Sequence, residues 1–188
     1  MASKIINLDH AAASGLNNEA RKQVELFLNQ PIYNSDSSYA PAVAQRRLIA
    51  DLKKKTAKLL GVNSPSLFIT NGSSDANQRL FKLLGSAEQK SAAITTNIEH
   101  QTLLSSITEF KEVEIIKVEP NGLIAIEETL SKIKDSTLLI SVQYVNNETG
   151  IIQPIKDLAR TLKKVKQDRL KRGIQLPVFL HSDASQSV

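Results

Sequence analysis

The clearest candidate for a chemical role is the segment 181–186, His-Ser-Asp-Ala-Ser-Gln, which follows the short apolar run 177–180. The apolar run predicts a buried strand, so we expect Asp183 at the carboxyl end of that strand. A carboxylate placed there needs a cationic partner, because burying an unpaired charge is too costly. A protonated pyridine nitrogen is one such partner, and its pairing with a carboxylate turns the ring into an electron sink. On this segment alone, capping of the next turn by Asp183 is the alternative.

Residues 71–74, Asn-Gly-Ser-Ser, lie between a predicted strand and a predicted helix. Glycine allows close approach of the backbone, and the first N–H groups of a helix point towards an anion. The hydroxyls of Ser73 and Ser74 add further donors, so the segment suits a phosphate group. A Gly-Lys-Ser/Thr sequence is missing, which argues against a nucleoside triphosphate. An ordinary N-capped turn remains the alternative reading of this segment.

Two further polar clusters follow predicted strands. His100 comes after the strand 92–96, and residues 146–150, Asn-Asn-Glu-Thr-Gly, end the apolar strand 138–145. His100 is either a core or capping residue or an imidazole that lies flat on an aromatic ligand. The amides of 146–150 serve either the turn itself or a phenolic oxygen or substrate carboxylate.

The elements that must position these clusters alternate along the chain. Helices are predicted over 16–29, 41–60, 75–84, 101–110, 127–134 and 154–171, and strands over 66–70, 92–96, 113–118, 138–145 and 178–180. This alternation predicts right-handed crossovers and an α/β fold with a mainly parallel sheet. Ligands bind outside the carboxyl ends of such strands, so the polar clusters are expected to form one composite site.

Composition narrows the class of protein. The 188 residues are 41% hydrophobic and 23% charged, which predicts a soluble globular domain. The sequence contains no cysteine, which excludes disulfides, thiolate metal ligands and a cysteine nucleophile from these residues. The net charge of +5 reflects the basic run 160–172, whose seven Lys or Arg accompany apolar residues at helical spacing. We therefore expect the solvent face of a helix there, and no binding of nucleic acid.

The sequence also predicts where the protein is found. Residues 1–6 lack the charged and then apolar pattern of a signal peptide, and acidic Asp9 follows soon after. No apolar stretch approaches the ~18 residues that a membrane span requires. We expect a cytoplasmic protein without a membrane partner.

Five motifs together resemble those of the cysteine desulfurases, in the class V aminotransferase group of fold-type I pyridoxal-phosphate enzymes. They are residues 8–12, 70–77, 99–100, 145–150 and 181–187, in family order over nearly the whole chain. The resemblance implies a three-layer α-β-α fold with a mainly parallel sheet, similar to the large domain of these transferases but truncated. It further implies that residues 1–15 join the family's small domain and that 16–188 form an incomplete cofactor-binding large domain.

The resemblance implies pyridoxal 5'-phosphate as cofactor and no metal. At the matching positions, Ser73 and Ser74 are expected to hold the phosphate. His100 is expected to stack on the pyridine ring and to act in proton transfer. Asn147 is expected near the ring oxygen and the substrate carboxylate.

The end of the chain supplies the remaining contacts that the resemblance implies. Asp183 is expected to pair with the ring nitrogen and Gln186 to bond the ring oxygen. The implied reaction removes sulfur from L-cysteine, leaving L-alanine and an enzyme persulfide for iron–sulfur cluster or thionucleotide synthesis. The implied partners are a sulfur-acceptor or scaffold protein and, in the complete enzyme, a second copy of the chain.

Several positions depart from the family pattern. Asp75 and Ala76 stand where glutamate and serine are usual, and residues 34–37, Asn-Ser-Asp-Ser, replace Asn-Pro-Ser-Ser. Tyr39 stands where histidine is common. The family's Schiff-base lysine and nucleophilic cysteine come later than Asp183, and this sequence ends at Val188. The resemblance therefore implies that the chain is inactive by itself.

Two other functions are compatible with the motifs. One is a different class V reaction, such as that of a selenocysteine lyase or an aminotransferase. The other is a non-catalytic split or degenerate fragment that acts through a partner chain.

Overall fold

The computed structural model describes residue 6 and residues 8–87 and 91–187. The chain divides into two compact units, Met1–Ile69 and Thr70–Val188. The predicted boundary between residues 15 and 16 stays a prediction, and part of the segment 1–15 lies outside the described residues.

The first unit contains two helices, α1 (Asn18–Leu28) and α2 (Ala40–Leu59). Helix α1 begins where the Asn17 side chain accepts a hydrogen bond of 2.8 Å from the Ala20 N–H, a common N-cap. Helix α2 has a proline in its first turn and is followed by Gly61 at φ +66°, a left-handed conformation that suits glycine after a helix. A short 3₁₀ turn, Ser64–Ser66, follows.

The second unit is built on a parallel sheet of four strands in the order β2-β1-β3-β4. The strands are β1 (Ala92–Thr96), β2 (Glu112–Ile116), β3 (Thr137–Ser141) and β4 (Phe179–His181). The helices are α3 (Ser73–Ala87), α4 (Gln101–Ser106), α5 (Ile126–Ser131) and α6 (Ile155–Lys171). The 3₁₀ turn Ile107–Glu109 continues from α4.

The strand side chains alternate between two cores, as the period of two in a strand requires. On one face, Ile94 and Ile140 pack with Leu158 and Leu162 of α6. On the other, Ala93 and Leu139 belong to a cluster with side chains of α3 and α4, including Phe81 and Leu103. Helices therefore cover both faces of the sheet, which confirms the predicted three-layer α-β-α class with a parallel sheet.

A buried arginine braces the amino-terminal edge of this sheet. Arg169 on α6 is 2% exposed. Its guanidinium donates hydrogen bonds of 2.9, 3.2 and 2.5 Å to the carbonyl oxygens of Thr137, Leu176 and Lys134. Helix α6, the start of β3 and the segment before β4 are thereby joined by one side chain.

The predicted strand 66–70 is wrong. Residues 64–66 form a 3₁₀ turn and residues 67–70 are not a strand. An apolar run becomes a strand only beside another strand, and none of the described strands pairs with this segment. Phe68 and Ile69 are accordingly 79% and 77% exposed.

The other predicted elements exist; β1 has the predicted ends, and the ends of the others are shifted. The strand predicted over 138–145 is β3 and ends at Ser141, after which a single antiparallel bridge joins Val145 to Ile152. The helix predicted over 101–110 ends at Ser106 and gives way to the 3₁₀ turn. In the described part of the chain, no helix has the length and apolar character to cross a membrane.

Candidate active site at the carboxyl edge of the sheet

The amino terminus of α3 presents an open set of donors. Gly72 has φ +95°, and apart from the glycine itself and its two chain neighbours no described atom lies within 4 Å of the position that a Cβ would occupy there. Ser73 and Ser74 begin the helix and are exposed. Because the first N–H groups of a helix have no partner within it, these two residues offer amide and hydroxyl donors on an uncrowded surface.

Asp75 organises the turn in front of α3. Its carboxylate accepts hydrogen bonds from the Asn71 N–H at 3.0 Å and from Arg79 Nε at 2.6 Å. The bond from Asn71, followed by that from Arg79, holds the pKa of Asp75 below its usual value. The aspartate at this position therefore remains charged and serves the turn.

Asp183 is the most heavily supported carboxylate of this edge. Asn77 Nδ2 donates to Oδ2 at 3.0 Å, while the N–H and Oγ of Ser185 donate to Oδ1 at 3.0 and 2.5 Å. Burial by itself would raise the pKa of Asp183, but the bonds from Ser185 and Asn77 outweigh it and leave the pKa lowered. The carboxylate is thus held charged and oriented from both sides.

His181, two residues before Asp183, is part of the frame. Its Nδ1 lies 2.9 Å from Ser141 Oγ on the neighbouring strand, and its ring meets Phe81 of α3 edge to face at 5.2 Å. Burial lowers the pKa of His181, and the charge of Asp183 opposes that effect only in part. The partly buried imidazole therefore fixes β4 against β3 and α3.

The segment after β3 is shaped by Asn146. Its Oδ1 accepts from the N–H groups of Glu148 and Thr149 at 3.0 and 2.8 Å, and its Nδ2 donates to the Ile98 carbonyl at 3.1 Å. Asn146 therefore carries the turn chemistry that was one of the two interpretations of this motif. Asn147, the predicted ligand, is exposed on the same turn.

His100 caps the amino terminus of α4. Its Nδ1 accepts from the Thr102 N–H at 3.3 Å and lies 2.7 Å from Thr102 Oγ1. With Nδ1 acting as acceptor, a neutral imidazole carries its proton on Nε2. The residue is exposed, so capping at one nitrogen leaves the ring face open to a ligand.

Glu99, the residue before His100, is a buried acid with two different oxygens. Oε1 accepts from Thr96 Oγ1 at 2.7 Å and from the Gln143 N–H at 2.9 Å. Oε2 is buried and has no hydrogen-bond partner among the described residues. Burial raises the pKa of Glu99 to about 7; the bonds from Thr96 and Gln143 oppose this rise, and the charge of Asp183 adds to it.

Gln186 lies on the turn that follows Asp183. The Ser187 N–H donates to the Ala184 carbonyl at 3.0 Å and closes that turn. Gln186 itself is exposed. Its predicted contact to a ring oxygen stays a prediction.

The segments after β1, β3 and β4 meet at one edge of the sheet, as the sequence predicted. The Tyr144 N–H donates to the Asp183 carbonyl at 2.8 Å, and the Gln143 amide side chain donates to the Ile98 carbonyl at 2.5 Å. These bonds link the segment after β3 to both of its neighbours. The contact between Asn77 and Asp183 joins α3 to the same edge.

Two residues of this edge were not assigned a role from the sequence. Asn77, the donor to Asp183, lies four residues after Ser73, a spacing that places both on one face of a helix. Glu99 directly precedes His100, and an acid just after a buried strand is itself a signal of a polar function at the sheet edge.

The donor set fits pyridoxal 5'-phosphate. Exposed hydroxyl and amide donors at Ser73 and Ser74 suit a phosphate, and the charged Asp183 suits a protonated ring nitrogen. Ser73 and Asn77 are separated by four residues of helix, about 6 Å along its axis, which is the scale of a phosphorylated pyridine ring. In the described ranges, no group of three or more His, Cys, Asp or Glu is placed to hold a metal ion.

Comparisons with known proteins identify the family of this chain. The sequence model of the family described as "Aminotransferase class-V" matches residues 6–172. A selenocysteine lyase of Xenopus tropicalis is 27% identical over 203 residues, which cover 97% of this chain and 47% of that protein. Cysteine desulfurase IscS of Clostridium botulinum is 26% identical over 193 residues, which cover 99% of this chain and 46% of that protein.

The fold also matches a solved structure, a NifS-like protein, with a TM-score of 0.86 at 24% identity over 96% of this chain and 49% of the other. This chain spans about half the length of the relatives that it matches. The resemblance predicted from the five motifs is confirmed at the level of the family, and family membership supports pyridoxal phosphate as the cofactor.

Proposed function

Because this chain belongs to the class V aminotransferase family, we propose that it is the cofactor-holding part of a pyridoxal-phosphate enzyme that takes sulfur from L-cysteine. The observation that carries the proposal is the support of Asp183. A partly buried carboxylate that receives three hydrogen bonds and keeps its charge is suited to a cation beside it.

When bound, the cofactor supplies an electron-poor ring that stabilises negative charge on the substrate carbon attached to it. The role of Asp183 is to keep the ring nitrogen protonated. Asn77 and Ser185 hold the carboxylate in one orientation, so that little rearrangement is needed when the cation arrives. His181 keeps β4 in place through its contact with Ser141. Its lowered pKa favours the neutral imidazole, which adds no charge beside Asp183.

Ser73 and Ser74 bind the phosphate with their hydroxyls and with the free amides at the start of α3. Their exposure lets a dianion enter without displacing protein groups. Asp75 already accepts the Asn71 N–H, so this donor belongs to the turn.

His100, Asn147 and Gln186 complete the site in this proposal. His100 lies over the ring face and moves a proton at Nε2, while Thr102 holds Nδ1. Asn147 binds the ring oxygen or the substrate carboxylate, and Gln186 binds the ring oxygen. These three side chains are exposed, and their proposed contacts rest on the family resemblance.

For the whole protein we propose a cytoplasmic homodimer with a separate sulfur-acceptor protein, on the resemblance alone. Residues 1–15 would join its small domain, and 16–188 would form part of its large domain. The thiol that receives sulfur in such a reaction is not among these 188 residues, which include no cysteine. Selenocysteine lyase is the second candidate, because the Xenopus tropicalis enzyme is as similar to this chain as the desulfurase is.

The test is a titration of the purified chain with pyridoxal 5'-phosphate, followed by NMR of backbone amides and side-chain carboxyls. We expect saturable changes at both ends of the site, at the amides of Ser73 and Ser74 and at the carboxyl of Asp183. Pyridoxal without phosphate should leave the α3 amides unchanged. Asp183→Asn should weaken this binding. The control variant, Asp157→Asn at an exposed acid on α6, should bind as the wild-type chain does. A titration without saturable change at either end would contradict the proposal.

A further inference from the structure

The side chain of Glu99 is tied into the sheet edge through one oxygen only. Glu99 is 5% exposed. Oε1 takes both available donors, Thr96 Oγ1 on its own strand and the Gln143 N–H on the segment after β3. The other oxygen, Oε2, is buried without a partner among the described residues. A charge on a carboxylate that has one buried oxygen without a partner is costly. Protonation at that oxygen removes the charge.

Asp183 acts on Glu99 across the same edge, since the charge of Asp183 disfavours a charge on Glu99. The two acids receive unequal support. Three donors address the carboxylate of Asp183, and they reach both of its oxygens. Two like charges at one site are resolved by ionising the better supported acid first.

We propose that Glu99 and Asp183 form an unequal pair: Asp183 ionises first and carries the charge, and Glu99 keeps a proton on Oε2 in weakly acidic solution, where an ordinary glutamate has lost its proton. Glu99 is thereby a positioning residue. Its Oε1 holds the segment after β3, which in turn bonds to the carbonyl of Asp183 through Tyr144. Its proton keeps the edge at a single negative charge.

The other groups around Glu99 do not change this balance. The segment after β3 contributes the amides of Gln143 and Asn146, which do not titrate. From β4, the partly buried His181 acts on Asp183, and desolvation lowers the pKa of His181, which favours its neutral form. On the segment of Glu99 itself, His100 is exposed and is held by Thr102.

The inference deepens the proposed function and rests on it for its purpose. A ring with one protonated nitrogen needs one negative charge beside it, and a second charged acid at this edge would have no cation to pair with. The protonated Glu99 gives the edge the charge of one carboxylate while retaining the geometry of two.

The experiment is a pH titration of the side-chain carboxyls, followed by NMR, in the uniformly ¹³C-labelled 188-residue chain without cofactor. The Glu99 carboxyl resonance is assigned by through-bond correlations within that residue. We expect the Glu99 carboxyl to titrate near pH 7, well above the value of 4.5 that is ordinary for a glutamate. In Asp183→Asn, the midpoint of Glu99 should fall, because the opposing charge is gone. A Glu99 midpoint near 4.5 would overturn the inference, as would a midpoint that is unchanged in Asp183→Asn.

A matched pair of variants tests the positioning role. Glu99→Gln preserves an oxygen for the Gln143 N–H, so hydrogen exchange at this amide should stay slow. Glu99→Ala removes the acceptor, and exchange should become roughly tenfold faster. Equal exchange in the two variants would refute the positioning role. No cofactor enters these measurements, so their outcome is independent of the cofactor titration that tests the proposed function.

Discussion

The two ends of the candidate site are built in opposite ways. At the start of α3, Ser73 and Ser74 are exposed on a surface with open space beside Gly72. At the carboxyl end of β4, Asp183 is gripped by Asn77 and Ser185. Because the side chains at the first end are exposed, substituting them should cost little stability. The carboxylate at the second end is held in place and charged before any ligand binds. We therefore expect Asp183 to orient a bound cofactor, and Ser73 and Ser74 to attract its phosphate.

We expect the largest effect on binding from Asp183→Asn, at the end of the site that is prepared for a charge. It preserves shape and removes the charge, so we expect the affinity for pyridoxal 5'-phosphate to fall by about 2–5 kcal/mol, the range for a lost partner of a buried charge pair. Calorimetric titration measures the loss. Ser187→Ala, on the same turn but remote from the carboxylate bonds, is the control. Equal affinity in Asp183→Asn and the wild-type chain would mean that the prepared end does not bind the cation.

The pH dependence of stability probes the same end through Glu99. Its pKa is about 7 in the folded chain and 4.5 ordinarily, so between these values the folded state holds a proton that the unfolded state lacks. Stability from this group is full below pH 4.5 and is lost as the pH rises through 7, by about 3 kcal/mol. Urea unfolding of the wild-type chain and of Glu99→Gln at each pH isolates this contribution.

His181 works in the opposite sense and makes the comparison with Glu99→Gln necessary. Because burial lowers its pKa below 6.5, its contribution to stability is present above that value and is lost as the pH falls. The difference between wild type and Glu99→Gln cancels this effect. A difference that does not change from acid to neutral pH would show that Glu99 titrates normally.

A smaller effect is expected for Asn77→Ala, which takes one of the three donors from Asp183. The pKa of Asp183 should rise, and the free energy of unfolding should fall by about 1–3 kcal/mol. Carboxyl NMR and urea unfolding measure the two quantities. Gln78→Ala, at the exposed neighbouring position on α3, should change neither. If both variants behave alike, Asn77 is not a support of Asp183.

The smallest effects belong to the open end. Ser73→Ala and Ser74→Ala should leave stability within about 0.5 kcal/mol, since both side chains are exposed. Each should weaken binding of pyridoxal 5'-phosphate by about 1 kcal/mol, the value of one neutral hydrogen bond. Binding of pyridoxal without phosphate should not respond. A large loss of stability in either variant would contradict the contrast between the two ends.

Much of the fold followed from local pattern. The apolar run of β1 and the amphipathic α6 were predicted almost to the residue, because burial on both faces and helical spacing leave clear signatures. The predicted strand 66–70 failed for a non-local reason. Leu67, Phe68 and Ile69 have the composition of a strand, but composition does not reveal whether a neighbouring strand is present.

The position of the candidate site was predictable from the sequence, whereas its hydrogen bonds were less so. Polar residues after the strands located the edge, since parallel strands end together. Whether an amide serves a turn or a ligand depends on which donors surround it, and this separated Asn146 from Asn147 only in the structure. The unequal surroundings of Glu99 and Asp183 likewise depend on contacts between residues distant in sequence.

Arg169 has a consequence for how the scaffold and the site respond to acidity. Its three acceptors are backbone carbonyls, which neither gain nor lose protons in the range where carboxyls and imidazoles do. The brace beneath β3 and β4 is therefore insensitive to pH, while Glu99, His181 and Asp183 at the opposite edge are not. A change in acidity therefore alters the charge at the carboxyl ends of the strands, while the hydrogen bonds of Arg169 at their amino ends stay in place.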